Sequence, residues 1–184
     1  MCPVTDLAVP DPRLLESWAA CVRDFDEGPM DGSGDWHLPA GWRDDLSERG
    51  CRVVVDDLLP HADATRPLPD DRVPCDYYWV TDGDPAGEPA VVVGFLALRH
   101  RLNAFLLEEG GHIGYSIRPA RRQEGHASRA LSLAVRRAAD LGLDRVLVTC
   151  DETNEPSRRT IESNGGRYED SRKGKRRYWI DTGA

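Results

Sequence analysis

The sequence predicts an α+β (mixed α/β) fold in a single domain spanning 1–184, a mostly antiparallel twisted sheet flanked by helices. Three observations lead there. Short β-rich runs at Tyr77–Val80, Ala90–Leu98 and His112–Ile117 follow one another, as in an antiparallel meander. A strongly periodic helix comes next, and then an apolar run, Arg145–Cys150, of strand length. The chain has 184 residues, 40% hydrophobic and 30% charged, which suffices for one core and excludes wholesale disorder.

The elements can be justified in order. Over residues 11–27, Leu14, Leu15, Trp18, Ala19 and Val22 recur at helical spacing behind Pro12, and Gly28-Pro29 ends the pattern. Residues 28–41, rich in Gly, Asp and Pro, read as a loop. Gly32-Ser33-Gly34 begins a G-x-G-x-x-G, but His37 stands at the last position and no strand precedes it, so the dinucleotide fingerprint fails. A weaker helical pattern covers 42–59. Residues 60–74 hold Pro60, Pro67, Pro69, Pro74 and Asp70-Asp71 and read as loop. The first two strands are separated by the turn Asp82-Gly83-Asp84-Pro85-Ala86-Gly87.

In the clearest helix, Ala127, Ala130, Leu131, Ala134, Val135, Ala138 and Leu141 share one face. Arg129, Arg136, Arg137 and Asp140 lie opposite, and Gly142 stands at the C-terminal cap. A shorter helix over 155–164 has Pro156 in its first turn and Gly165-Gly166 beyond its end. Two last strands, 167–169 and 177–180, flank a basic turn.

Composition excludes several classes of function. The longest apolar run, Val91–Leu98, is interrupted by Gly94, so no transmembrane helix is expected. The N-terminus lacks the basic and apolar regions of a signal peptide, which predicts a soluble, cytoplasmic protein. Five scattered cysteines (Cys2, Cys21, Cys51, Cys75, Cys150) without a C-x-x-C pair argue against a disulfide framework or structural zinc. Residues 1–88 carry 20 acids against 7 arginines, a balance of −13; residues 89–184 carry 12 acids against 17 Arg and Lys, a balance of +5. The acidic front half speaks against nucleic acid as a partner, and the basic rear half suits a phosphorylated small molecule. The run Arg172-Lys173-Gly174-Lys175-Arg176-Arg177 reads as a hairpin turn with solvated charges. His37, His61 and His100 lack metal-ligand spacing and read as loop or surface residues, and no metal is expected. Ser116 and Cys150 have no neighbouring signature of an activated nucleophile.

The chemistry concentrates where Pro119 stops a strand and a basic loop opens into the strong helix: Arg122-Gln123-Glu124-Gly125-His126-Ala127. Free N–H groups and the positive dipole end of a helix N-terminus form an anion site, and Gly125 permits a tight turn. The spacing is not that of a P-loop. The order strand, R-x-x-G-x-A, amphipathic helix, apolar strand, Asn154, short helix, Gly-Gly resembles the GNAT N-acetyltransferase superfamily over about residues 76–181. Further strings resemble one branch of predicted bacterial acetyltransferases. They are Asp31-Gly32-Ser33-Gly34, Leu98-Arg99-His100-Arg101-Leu102-Asn103, Gly110 through Pro119, Thr149-Cys150-Asp151, and Asn154 through Gly166.

This resemblance implies the GNAT acyl-CoA N-acyltransferase fold, with 76–181 binding acetyl-CoA and 1–75 supplying helices and loops on the acceptor side. It implies that Arg122, Gln123, Glu124, Gly125, His126 and Ala127 hold the pyrophosphate, mostly through backbone N–H groups. Ile117 would pair by its backbone with the pantetheine arm, and Asn154 would contact that arm, cap the short helix, or both. Where family members often carry a tyrosine acid, seven residues beyond the asparagine, this chain has Ile161. The implied reaction is direct attack of a small-molecule or peptide amine on acetyl-CoA in a ternary complex. A non-catalytic acyl-CoA sensor is the alternative that Ile161 motivates. Neither a membrane nor a nucleic acid is an expected partner.

Two further expectations concern the acceptor. The −13 balance predicts a cationic amine, with Asp31 and Asp35 as its first candidate contacts. Strand parity places His112, Gly114 and Ser116 on one face and Ile113, Tyr115 and Ile117 on the other. His112 is thereby a candidate general base, with Glu109 in reserve; its alternative is a histidine that only hydrogen-bonds across the sheet.

Overall fold

A computed structural model describes residues 4–69, 71–83 and 90–183. Cys2, Asp70 and the expected turn at Asp84-Pro85-Ala86-Gly87 lie outside the described residues. Seven strands form one sheet: β1 (Thr5–Ala8), β2 (Cys75–Asp82), β3 (Val91–Arg99), β4 (Ile113–Ile117), β5 (Arg145–Asp151), β6 (Arg167–Arg172) and β7 (Lys175–Asp181). Their spatial order is β1-β2-β3-β4-β5-β7-β6, and every neighbouring pair is antiparallel except β4 and β5. The mixed, mostly antiparallel sheet is the one expected.

Helices α1 (Leu15–Phe25) and α2 (Glu48–Leu58) cover one face; α3 (His126–Asp140) and α4 (Glu155–Ser163) cover the other. The period of two along β2 and β3 decides which side chains go where. Trp79 and Phe95 join Trp18, Val22 and Phe25 of α1 and Val54 and Leu58 of α2. Val80 and Leu96 join Leu131, Ala134 and Ala138 of α3 and Ile161 of α4. Gly142, at φ 79, follows α3 as its C-terminal cap, as expected.

Several boundaries differ from expectation, each for a local reason. Strand β1 was not anticipated, because four residues carry too short a pattern to recognise; its partner, β2, is 75 residues away in sequence. The helical pattern over 42–59 resolves into a separate turn at Trp42–Asp44 and then α2. Ser47 starts α2 afresh by accepting the Gly50 N–H. The first helix begins with a single tight turn at Pro12–Leu14, where Asp11 accepts from Arg13 N–H. β4 starts at Ile113, one residue later than expected. His61 is buried rather than superficial, since its ring stacks on His37 with centroids 4.3 Å apart. His100 is tied to Asp76 at 2.9 Å, and Asp76 also accepts from Arg137 and Tyr78. That satisfies a buried carboxylate. Cys21, Cys51, Cys75 and Cys150 are buried free thiols. Among the described residues no helix is long and apolar enough to cross a membrane.

Candidate active site

The parallel pair β4–β5 is joined at a single register position, Ile113 opposite Val148, so the two strands diverge beyond it. A crevice opens between their C-terminal ends. On the β3 side, Arg99 N–H donates to His112 O and Arg118 N–H donates to Val93 O. Alternation then turns the backbone groups of Tyr115 and Ile117 away from β3 and into the crevice. The expected backbone presentation at Ile117 is therefore geometrically available. Its carbonyl currently accepts from Arg122 Nε at 3.0 Å. Across the crevice, Tyr115 Oη and Ser157 Oγ lie 2.9 Å apart. Burial pushes the pKa of Tyr115 up to about 12, so the phenol stays protonated and can donate. Neither Tyr115 nor Ser157 was singled out from the sequence, because neither had a recognisable catalytic neighbour in the chain.

At the far end of β4, the loop 122–125 leads into α3. Gly125 caps α3 at φ 90 and offers no side-chain acceptor, and the first helical bond runs from Arg129 N–H to Gly125 O. The N–H groups of His126, Ala127 and Ser128 consequently have no backbone acceptor among the described residues, and Gln123 adds a second left-handed residue at φ 65. A Cβ on Gly125 would meet nothing within 4 Å, so the space over this turn is open. The side chains of the loop are spoken for elsewhere. Glu124 pairs with Arg121 at 2.8 Å and lies 3.3 Å from His126 Nε2. The buried His126 ring meets Thr5 Oγ1 at 3.0 Å. What the loop offers a ligand is thus its backbone. Asn154 accepts the Ser157 N–H at 3.1 Å, which makes it the N-cap of α4.

On the opposite face, the segment between α1 and α2 crosses β3 and β4. Gly32, at φ 86, lies so close that a Cβ would stand 2.4 Å from Gly114 O and 2.9 Å from Leu96 Cα. Only glycine fits there. Ser116 Oγ donates to Asp31 O at 2.8 Å and pins the crossing. Beside it is a cavity of about 250 Å³ bordered by Asp31, Asp35, Trp36, Tyr77, Ala97 and Arg99, among others. Asp31 and Asp35, the two candidate acceptor contacts, both line this one cavity. Desolvation raises the Asp31 pKa against the opposing charges of Lys175 and Arg99. Asp35 is ion-paired with Arg43 at 3.2 Å.

His112 immediately precedes β4, at the end of that strand away from the loop 122–125. Its Nδ1 accepts the Leu147 N–H at 2.9 Å, and its ring meets Trp179 edge-on. Burial, with Arg99 nearby, lowers its pKa to about 4, so it is neutral at pH 7 with the proton on Nε2. The reserve candidate, Glu109, is paired with Lys173 at 3.0 Å. Ile161, the position at which the resemblance led to the expectation of a tyrosine, is fully buried in the core here.

Comparison with known proteins agrees with this architecture. A family model described as an acetyltransferase (GNAT) domain matches residues 29–167. A search of curated proteins gives no match. Among solved structures, Mycobacterium smegmatis RimJ in complex with CoA-disulfide is similar, with TM-score 0.60, 19% identity, and coverage of 98% of this chain and 90% of that one. The GNAT-family acetyltransferase from Bacillus anthracis has TM-score 0.60 and 18% identity, covering 100% of this chain and 98% of that one. The microcin C7 self-immunity acetyltransferase MccE, in complex with acetyl-CoA and AMP, has TM-score 0.58 and 12% identity, with coverage of 96% and 92%. At these identities the structural likenesses bear on the fold, and the family model on membership: the chain is an acetyltransferase of the GNAT family.

Proposed function

We propose that the protein transfers an acetyl group from acetyl-CoA to a primary amine within a ternary complex. The observation that carries this reading is spatial. The uncapped start of α3, the crevice between β4 and β5, and the cavity at Asp31 all adjoin the one short strand β4. The residues fit the co-substrate. Backbone N–H groups of Gln123, Glu124, Gly125, His126 and Ala127 would receive the pyrophosphate, with Arg122 adding its charge. Tyr115 and Ile117 would offer strand-edge groups to the pantetheine arm, and Asn154 flanks it from α4. Asp31 and Asp35 stand on the acceptor side. The amine nitrogen forms the new C–N bond as the C–S bond breaks, and the electron pair leaves on sulfur. The amine's surplus proton passes to water at the open mouth of the cavity, and the thiolate takes up one proton, with Tyr115 and Ser157 the nearest hydroxyls of the crevice.

We assign His112 to holding β4 against β5 rather than to proton removal, because its Nδ1 lone pair already receives Leu147 N–H. An alkylamine of pKa near 10.4 needs about 4.6 kcal/mol to expose its lone pair at pH 7, at 1.36 per unit. In this reading that cost is one part of the overall activation barrier. The test is thiol release from acetyl-CoA across a panel of amines. Amine-dependent CoA release is expected; tight acetyl-CoA binding with no release for any amine would instead favour a sensor.

A further inference from the structure

Arg99 is the last residue of β3, and its guanidinium enters the cavity beside Asp31. A guanidinium carries five N–H donors. Two are used: Nη1 donates to Gly110 O and Gly111 O, each at 3.3 Å. Nε and Nη2 meet no acceptor, and no carboxylate pairs with Arg99 among the described residues. Arg118, Arg121, Arg137, Arg172 and Arg177, by contrast, each meet an acid within 3.0 Å. The half-buried Arg72 and Arg176, which also lack a carboxylate among the described residues, lie over the rings of Trp36 and Tyr168. A half-buried cation held by carbonyls alone leaves its bidentate edge free for a planar anion.

The surroundings limit what that anion belongs to. Gly114 of β4 lies directly beneath the Arg99 guanidinium; a Cβ there would stand in ordinary contact, 3.5 Å from Nη1, 3.8 Å from Nη2 and 3.6 Å from Gly32 N. Gly114 directly precedes Tyr115, whose backbone faces the crevice, so a group anchored on Arg99 lies beside the expected acetyl position. Tyr77 closes another wall. Its hydroxyl receives His37 Nε2 at 2.8 Å, since the other nitrogen of His37 is engaged by Arg72. Burial raises the Tyr77 pKa, so the hydroxyl stays protonated. Asp31 is the cavity's free carboxylate, Asp35 being neutralised by Arg43. Arg99 and Asp31, neither in an ion pair among the described residues, share a space of about 250 Å³, with the exposed Trp36 at its rim.

We propose that the acceptor is a small amino-carboxylate, a zwitterion of amino-acid type whose carboxylate is held by Arg99 and whose ammonium is held by Asp31. This rests on the acetyl-transfer reading above and deepens it. It also explains how an acidic front half can serve an acceptor that is not polycationic. The cavity itself is balanced, and a polyamine would place its second charge against Arg99.

The experiment uses the full chain and the common amino acids, each matched with its carboxamide and its decarboxylated amine. Thiol release gives kcat/KM, and calorimetry on the CoA-saturated protein gives affinity independently of turnover. The best acceptors should carry the carboxylate and exceed their amides at least tenfold. Arg99→Gln should remove that preference, bringing the acid down to the amide while leaving the amide within threefold. Gly114→Ala, whose added Cβ makes only ordinary contacts, should raise KM for the acid and leave CoA affinity unchanged. The proposal is overturned if amides or decarboxylated amines are the best ligands. It is equally overturned if Arg99→Gln lowers acid and amide alike, the signature of a purely structural arginine. Carboxylate-dependent binding without CoA release for any acceptor would overturn the transferase reading and leave the site assignment standing.

Discussion

Replacing Gly125 by Asp tests the anion site at its most sensitive point. The residue sits at φ 90, so any L side chain there is strained by roughly 1–2 kcal/mol, a cost that Gly125→Ala reports alone. No steric clash is added, because a Cβ at this position meets nothing within 4 Å. What aspartate adds is charge at the mouth of three N–H groups that lack a backbone acceptor among the described residues, those of residues 126–128. A carboxylate about 5 Å from a phosphate charge repels it by roughly 1–3 kcal/mol at an effective dielectric between 80 and 20. The new side chain can also cap the free N–H groups and compete for them, and each such bond to a charged oxygen is worth about 1.5–3 kcal/mol. Taken near their lower ends, the two effects give an expected loss of about 2.5–3 kcal/mol in CoA binding, roughly sixty- to 150-fold. Calorimetry at low and high salt measures it, since part of the loss is screened. Thermal melting of both variants separates folding from binding. Gly125→Ala should weaken CoA far less than Gly125→Asp. A folded Gly125→Asp protein that binds CoA within threefold of wild type would refute the assignment of the pyrophosphate to this turn.

Two other perturbations probe the framework. His112→Ala leaves the Leu147 N–H buried without its acceptor, a cost of about 1–3 kcal/mol, so melting should fall by several degrees while the pH–rate profile keeps its shape. A hundredfold drop in turnover with loss of a limb near pH 6–7 would make His112 the base after all. Asp24 accepts from Arg118 Nε and Ala120 N–H, which hold its carboxyl below the ordinary 3.8 and tie α1 to the turn after β4. A depressed pKa stabilises the fold above the unfolded value and loses that contribution as pH falls through the folded one. Wild-type stability should therefore decline below about pH 4 more steeply than that of Asp24→Asn, as read by melting across pH 2.5–6; parallel declines would show that Asp24 contributes nothing.

Where a pattern repeats over many residues, the sequence alone determined the element. The face of α3 from Ala127 to Leu141, the β-rich runs of β2 and β3, and the glycine opening α3 were all legible, because periodicity and a left-handed backbone requirement are local properties. The anion site proposed at 122–127 was legible for the same reason: it would be built from consecutive backbone groups. The role of Asn154 as a cap was equally local. Tertiary structure decided everything that depends on pairing across distance. Strand β1 exists because β2 offers it an edge, and His126 reaches Thr5 only once that edge is filled. His112 is a candidate base by strand parity; that its Nδ1 receives Leu147 N–H, the basis for the structural role we propose, depends on β5 lying beside it. Arg99 stands in the sequence only within the string Leu98 through Asn103; its free donors became visible when the fold set Gly32 against Gly114 and left the cavity beside Asp31. A side chain's hydrogen-bonding capacity is written in its residue type, but whether that capacity is spent depends on neighbours that only the fold supplies.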